Sequence, residues 1–262
     1  MSEAAVERDP LLEVDGLNRR FGGLHAVAQV SFGVPCGAIK AVIGPNGAGK
    51  TTLFNLISGF LKPTSGRAFF EGENITELKA FEVARRGMLR TFQNVRLCQG
   101  MTVLENTKLG RHTRSRAGFL AGALNLPWTR REEREIEERC IVILDMLKLA
   151  DARDQEVGSL PFGRQRAVEF ARALAAEPKL MLLDEPASGL NVHETEELAR
   201  LIQRIRQMGT TILLVEHDMS LVMDISDEIV VLNYGRKIAE GRPADIQRNE
   251  EVINIYLGGE NT

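Results

Sequence analysis

Eight residues constrain this chain more than any others: Gly44-Pro45-Asn46-Gly47-Ala48-Gly49-Lys50-Thr51. They match the pattern Gly-x4-Gly-Lys-Ser/Thr, and Thr52 stands directly behind them. Apolar Ala38 to Ile43 reads as a buried strand before the loop, and Thr51 to Gly59 reads as a short helix after it. A strand, a tight glycine turn and a helix start aim several backbone N–H groups at one point. The helix dipole adds positive potential there, so the turn favours phosphate. Gly47 and Gly49 are expected to let the backbone close in where a Cβ would clash, both at positive φ. Lys50 can reach β- and γ-phosphates, and the Thr51 hydroxyl suits Mg²⁺. At ordinary residue usage, about 0.01 such matches arise by chance in a chain this long. The loop is a nucleotide site.

Composition narrows the rest. With 44% hydrophobic and 26% charged residues, the 262-residue chain is expected to bury a sizeable core. A net charge of −3 gives no general pull toward nucleic acid or anionic lipid. The first ten residues are polar and acidic and do not read as a secretion signal. The longest near-apolar stretch, Ala117 to Trp128, is too short to span a bilayer. Cys36, Cys98 and Cys140 are widely separated, without metal-like spacing, and read as reduced thiols.

Leu11 to Leu17 and His25 to Val34 are strand-like around a Phe21-Gly22-Gly23 turn, and Arg67 to Phe70 follows a Pro-Thr-Ser-Gly turn signal. These strands point to an antiparallel sub-sheet leaning on a parallel one. From Gln93 to Glu177 the pattern is helical. Its clearest stretch, Arg130 to Leu149, places Ile136, Cys140, Ile143, Leu144 and Leu147 on one face. The opposite face is charged, with an expected pair between Glu135 and Arg139. After Glu177, strands at Leu180–Leu183, Thr210–Val215 and Glu228–Leu232 alternate with a helix at Val192–Met208. That alternation implies parallel strands with crossover helices. The tail, Pro243 to Leu257, reads as two short helices.

The apolar run Leu180 to Leu183 ends in Asp184 and Glu185. Ligands of open α/β sheets bind at the carboxyl ends of strands, so both acids are expected beside the glycine loop. Adjacent strand residues face opposite ways, so the pair divides its labour. Asp184 suits a Mg²⁺ ligand and Glu185 the orienter of an attacking water. His217 follows the strand Thr210 to Val215 in the same manner and suits a hydrogen bond to the γ-phosphate. His25, His112 and His193 have no such placement.

The order of glycine loop, helical insertion, Asp-Glu strand end and strand ending in histidine resembles the ATPase domain of ABC transporters. The resemblance runs from about Leu11 to Leu257. It implies a P-loop NTPase core of α/β class, with an antiparallel β subdomain and an inserted helical subdomain. The implied layout is a polar extension over 1–10 and a single domain over 11–258. Within that domain the core covers 11–92 and 177–242, the helical subdomain 93–176, and the C-terminal helices 243–258.

The resemblance further implies ATP and Mg²⁺ as cofactors. ATP would be held by Gly44, Pro45, Asn46, Gly47, Ala48, Gly49, Lys50, Thr51 and Thr52, with Phe21 stacked on adenine. Gln93 would sense the metal, joining Glu185 and His217 as catalytic groups, while Thr51, Gln93 and Asp184 form the metal set. Ser159 to Arg166 aligns with the family signature, giving Leu160 and Gly163 a place on a partner's nucleotide, and Ala187 to Asn191 aligns with the loop crossing the dimer interface.

Three departures stand out. Pro161 occupies the place of the signature serine, Arg164 that of the glutamine, and Asn191 that of the crossing loop's usual aspartate. Gly163 is expected to open a helix from Arg164 to Ala176, so that backbone N–H groups, and the Arg164 guanidinium, grip the partner's phosphate.

The Pro-Phe-Gly variant, the Phe21-to-Val27 opening, the Ala-Ser-Gly-Leu-Asn loop and a long insertion at Arg111 to Arg130 resemble one branch. That branch is the longer of the two ATPases of branched-chain amino acid importers. It implies two transmembrane permease subunits, a second ATPase (a different chain being favoured over an identical one), an external solute-binding protein, and no nucleic acid. The site of action would be the cytoplasmic face of the inner membrane. Alternative readings keep the fold and change the cargo to urea, amides or an exported solute, or make the chain a soluble ABC ATPase.

Overall fold

A computed structural model describes residues 9–91, 97–113 and 127–257. The chain forms two compact units, Met1–Arg90 with Lys179–Thr262, and Thr91–Pro178.

The first unit opens with β1 (Leu12–Phe21) and β2 (Leu24–Val34), an antiparallel hairpin turning at Gly22-Gly23. β1 buries Leu12, Val14 and Leu17 and leaves Glu13 exposed, as a strand with one covered face does. β3 (Ile39–Ile43) is buried at every position and runs through the glycine loop into α1 (Lys50–Ile57). Then β4 (Ser65–Phe70) and β5 (Glu73–Asn74) complete a four-stranded antiparallel sheet in the order β2-β1-β4-β5. The short α2 (Ala80–Arg85) and β6 (Met88–Arg90) end this half.

The second unit is helical. α3 (Val103–Leu109) starts in a capping box, in which Thr102 Oγ1 accepts from the Glu105 N–H and the Glu105 carboxylate takes the Thr102 N–H. It packs on α4 (Pro127–Met146) and α5 (Phe162–Ala175). Cys140, Ile143 and Leu144 are buried on the inward face of α4, Leu147 is buried just past its end, and Ile136 is half-buried. Asn106 is fully buried, and its side-chain amide ties the Cys98–Thr102 loop by bonding Cys98 N–H and the carbonyls of Cys98 and Thr102. On the charged face the expected Glu135–Arg139 pair gives way to others. Glu135 takes Arg131 at 3.2 Å, and Arg139 reaches Glu177, which also holds Arg111 at 2.7 Å. Glu177 stands beyond the end of α5, where it draws both cations away from their own turns.

The chain then returns to the first unit through β7 (Leu180–Asp184), α6 (Val192–Gln207), β8 (Thr211–Val215), α7 (Met219–Ile225), β9 (Glu228–Asn233) and β10 (Arg236–Gly241). The tail forms α8 (Pro243–Gln247) and α9 (Glu250–Leu257). A six-stranded sheet runs β10-β9-β3-β8-β7-β6, parallel except for the antiparallel edge strand β10. β3, β7 and β8 are buried at all five positions each, as a parallel sheet covered on both faces requires.

A lysine is buried in that sheet. Lys40 is 2% exposed, and its Nζ meets Glu240 at 2.5 Å, Glu228 at 2.8 Å and the Gly33 carbonyl at 2.5 Å. Two carboxylates and a carbonyl replace the water that burial removes.

The register sets up the site. Val42 pairs with Val215, and Val215 with Asp184, so β3, β8 and β7 end together. Gly44, Glu216 and Glu185 therefore emerge from the same edge of the sheet.

Candidate nucleotide site

The loop from Gly44 to Gly49 is held by its neighbours as much as by its own sequence. Ala48 N–H bonds Pro45 O at 3.1 Å, and Ala48 O accepts from Gly235 N–H at 3.0 Å, in the turn between β9 and β10. A Cβ at Gly44 would lie 2.1 Å from Leu232 O, and one at Gly49 would lie 2.2 Å from Ala26 O. Gly47, expected to need the same clearance, has open space around its Cβ position and requires glycine only for its φ of +80°. Close approach thus falls on Gly44 and Gly49.

Gly49 is the N-cap of α1 and offers no capping side chain, so the first helical N–H groups are left without a side-chain cap. A glycine-walled cradle ending in uncapped N–H groups fits a chain of phosphates. The Lys50 side chain is buried and its ammonium bonds the carbonyls of Gly44 at 2.6 Å and Pro45 at 3.1 Å. Burial pushes its pKa down, opposed by the charges of Glu185 and Asp184.

Asp184 and Glu185 differ in surroundings and in backbone conformation. Asp184 ends β7 and is buried, with its Oδ2 2.6 Å from Arg90 Nη2. Arg90 also holds Asn55 Oδ1 at 2.6 Å and Ser58 Oγ at 3.2 Å, linking the end of β6 to β7 and α1. Glu185 leaves the strand at φ +46°, a left-handed conformation rare for glutamate. That turn, rather than strand alternation, separates the two carboxylates. His217 is exposed, and its Nδ1 lies 4.0 Å from Glu185 Oε2.

Phe21 is 47% exposed at the end of β1, with the Arg19 guanidinium 4.7 Å over its ring. Thr51 and Thr52 lie in the first turn of α1. Gln93 lies outside the described residues, as does 114–126 of the insertion.

In the helical unit the signature stretch differs from expectation. α5 begins at Phe162, not Arg164, with Pro161 as its N-cap and Gly163 within its first turn. Proline's fixed φ suits that position without a donor. Leu160 has its side chain buried, and its carbonyl accepts from Gln165 Nε2 at 2.9 Å. The Arg164 guanidinium, proposed for a partner's phosphate, is engaged by Asp151 at 2.5 and 3.0 Å and by Lys148 O at 3.3 Å. It fastens its own unit. Asn191 caps α6, with Oδ1 accepting from Glu194 N–H at 3.1 Å, so asparagine fills a helix cap as aspartate would.

Three residues near the loop escaped the sequence reading. Arg90 follows no motif and closes a strand of three residues. Glu216 is fully buried behind His217, and its signal was the same as that of Asp184: an acid ending an apolar run. Tyr256, in α9, sits with its phenol at the Gly44 backbone, and burial pushes its pKa up to about 12. No local pattern foretells that contact.

Comparison with known proteins agrees with this geometry. A family model described as ABC transporter matches residues 27–188, and one described as branched-chain amino acid ATP-binding cassette transporter matches residues 236–261. The chain is 46% identical, over 95% of its length and 98% of that protein's, to the high-affinity branched-chain amino acid transport ATP-binding protein BraF of Pseudomonas aeruginosa. It is 45% identical over the same shares to the corresponding protein LivG of Escherichia coli. Among solved structures, the ADP conformation of an ATP-binding cassette of an ABC transporter superposes with a TM-score of 0.84 at 34% identity, covering 96% of this chain and 100% of that one. A nucleotide-free cassette gives 0.80 at 34% identity, covering 94% and 98%. The glycine cradle, the paired acids at the end of β7 and the histidine after β8 therefore belong to a chain of the ABC transporter family, as one of its ATP-binding proteins.

Proposed function

We propose that this chain is the ATP-hydrolysing subunit of an importer for branched-chain or related amino acids. The observation that carries the hydrolytic reading is the convergence of Gly44–Thr52, Asp184, Glu185 and His217 at one sheet edge. The cargo class is supported by the match over residues 236–261 and by relatives aligned over nearly the whole chain.

In this reading the N–H groups of the loop and of the first turn of α1 cradle the phosphates. Lys50 exchanges its loop carbonyls for β- and γ-phosphate oxygens. Glu185 orients the attacking water, and His217 steadies the γ-phosphate. Such positioning and charge stabilisation supply most of the catalysis in phosphoryl transfer. Thr51, Asp184 and Gln93 would hold Mg²⁺, which would supply positive charge to offset that of the phosphates. Phe21 stacks on adenine. A second ATPase, favoured as a different chain, supplies a facing signature, while Leu160 and Gly163 serve the partner's nucleotide through the backbone of their turn. Two permease subunits carry the solute, fed by an external binding protein. Among the described residues no helix is long and apolar enough to cross a membrane, so attachment runs through those permeases.

The test is purification of the tagged chain from native membranes in mild detergent, with mass spectrometry of its companions. Two permeases and a second ATPase are expected, with ATPase activity stimulated by a branched-chain amino acid and its binding protein. Recovery without permeases, or stimulation only by an unrelated solute, overturns the reading.

A further inference from the structure

Glu216 is the one fully buried carboxylate at the edge where the site assembles, among the described residues. Its Oε1 accepts the Ala187 N–H at 2.7 Å. Its Oε2 accepts the N–H groups of His217 at 2.9 Å and Asp218 at 3.3 Å. Ala187 is two residues beyond Glu185, in the turn where Ser188 N–H closes on Glu185 O at 3.1 Å. One side chain thus grips the loop that carries Glu185 and the loop that carries His217.

We propose that Glu216 is a positioning residue for ATP hydrolysis, locking the Glu185–Ser188 turn and the His217–Asp218 turn into one rigid unit. The proposal rests on the reading of Glu185 and His217 as the groups that act on water and γ-phosphate.

The chemistry of the site asks for a carboxylate. Each oxygen faces only donors, and an ionised carboxylate is acceptor-only. Burial pushes the Glu216 pKa up, against the three N–H bonds that favour its charge. A neutral amide of the same size has one acceptor oxygen and one NH₂. Whichever way it turns, a donor meets a donor at Ala187 or at His217 and Asp218. Glu216→Gln therefore frees one loop while conserving volume. The His217 ring is also 3.8 Å from Glu216 Oε2 through Nδ1, so its orientation feels the same carboxylate.

The test uses the full-length chain with Glu216→Gln, Glu216→Asp, His217→Ala and the pair Glu216→Gln/His217→Ala. Turnover, KM, affinity for a fluorescent ATP analogue and melting temperature are measured together. Displacement of catalytic groups by about 1 Å costs on the order of 100-fold in rate. Glu216→Gln is expected to lower kcat by that order with nucleotide affinity near wild type, to lower the melting temperature by a few degrees for the one N–H left unpaired, and to add little to His217→Ala. Amide exchange over 186–191 or 217–219 should quicken in Glu216→Gln.

Wild-type kcat in folded Glu216→Gln overturns the proposal, as does a full additive loss in the double variant. A fall of nucleotide affinity in step with kcat makes Glu216 a structural residue and also overturns it. If Glu216→Gln does not fold, Glu216→Asp decides, since it keeps both acceptors at shorter reach. Lower kcat at unchanged affinity then supports the proposal, and wild-type kcat refutes it. Full activity of His217→Ala would instead strike the underlying site reading, a result visible without any Glu216 variant.

Discussion

Arg90 Nη2 lies 2.6 Å from Asp184 Oδ2, with the two side chains 7% and 11% exposed. The pair joins adjacent parallel strands β6 and β7 at the point where the sheet opens onto the glycine loop. Removing one member of a buried ion pair leaves the other uncompensated, at a cost of about 3–5 kcal/mol. Arg90→Ala should lower the unfolding free energy read from a urea titration by an amount of that order, and Arg90→Lys by less, because lysine keeps the charge while losing the fork that also reaches Asn55 and Ser58. An unchanged free energy for Arg90→Ala would show that the pair is immaterial to the fold.

The loop glycines should separate by mechanism. Alanine at Gly44 or Gly49 sets a methyl 2.1 or 2.2 Å from a backbone carbonyl, so either the loop or β2 and β9 must move. ATP binding should be lost in both. Gly47→Ala meets no atom within 4 Å and pays only for its left-handed φ, about 1–2 kcal/mol. It should still bind ATP, with a weaker affinity. Isothermal titration of the three variants checks the order, and equal losses would contradict it.

Glu185→Gln removes the carboxylate expected to orient water while preserving size. ATP should bind with near wild-type affinity, and turnover should fall by about 10²–10⁴-fold. Lys50→Ala should act on binding itself, because the ammonium supplies charge to the phosphates in ground and transition states alike. Normal hydrolysis by Glu185→Gln would remove the residue from the mechanism.

The buried Lys40 predicts an acid limb to stability. Burial alone would push the Glu240 carboxyl up, but its hydrogen bonds to Lys237 and Lys40 and their charges outweigh this and hold it below the ordinary value of 4.5. A carboxyl depressed in the folded state stabilises the fold above its unfolded pKa. That contribution fades as pH falls through the folded value. Melting temperature should therefore be flat above pH 5 for this group and decline below the ordinary value of 4.5. Lys40→Met should shift the decline to higher pH, because Glu240 and Glu228 are then neighbours without their shared cation. An identical acid limb in Lys40→Met would rule out the triad as its source.

What the linear sequence determined here is what local pattern can carry. Gly44 to Thr51 is a contiguous device whose conformations are set by its own glycines and the helix they open, so it was legible as a phosphate cradle. The apolar runs ending in Asp184-Glu185 and in His217 were legible because a strand's burial and its exit show in consecutive residues. The parallel core followed from the alternation of such runs with helical periods. β6 and β10 did not show: the first is three residues long, and the second carries Arg236, Lys237 and Glu240 along an edge strand that need not be apolar.

Tertiary structure alone decided the partners. Arg90 finds Asp184 across 94 residues, and Lys40 finds Glu240 across 200. It placed Tyr256 at Gly44, and it paired Arg164 with the exposed Asp151 of the same unit. It moved the need for close approach from Gly47 to Gly44, because the carbonyl in the way belongs to Leu232, on a strand near the far end of the chain. Spacing along a chain limits what a residue can do within its own element. Which charge satisfies which, and which backbone must pass close to which, is set only when the sheet's register brings distant segments to one edge.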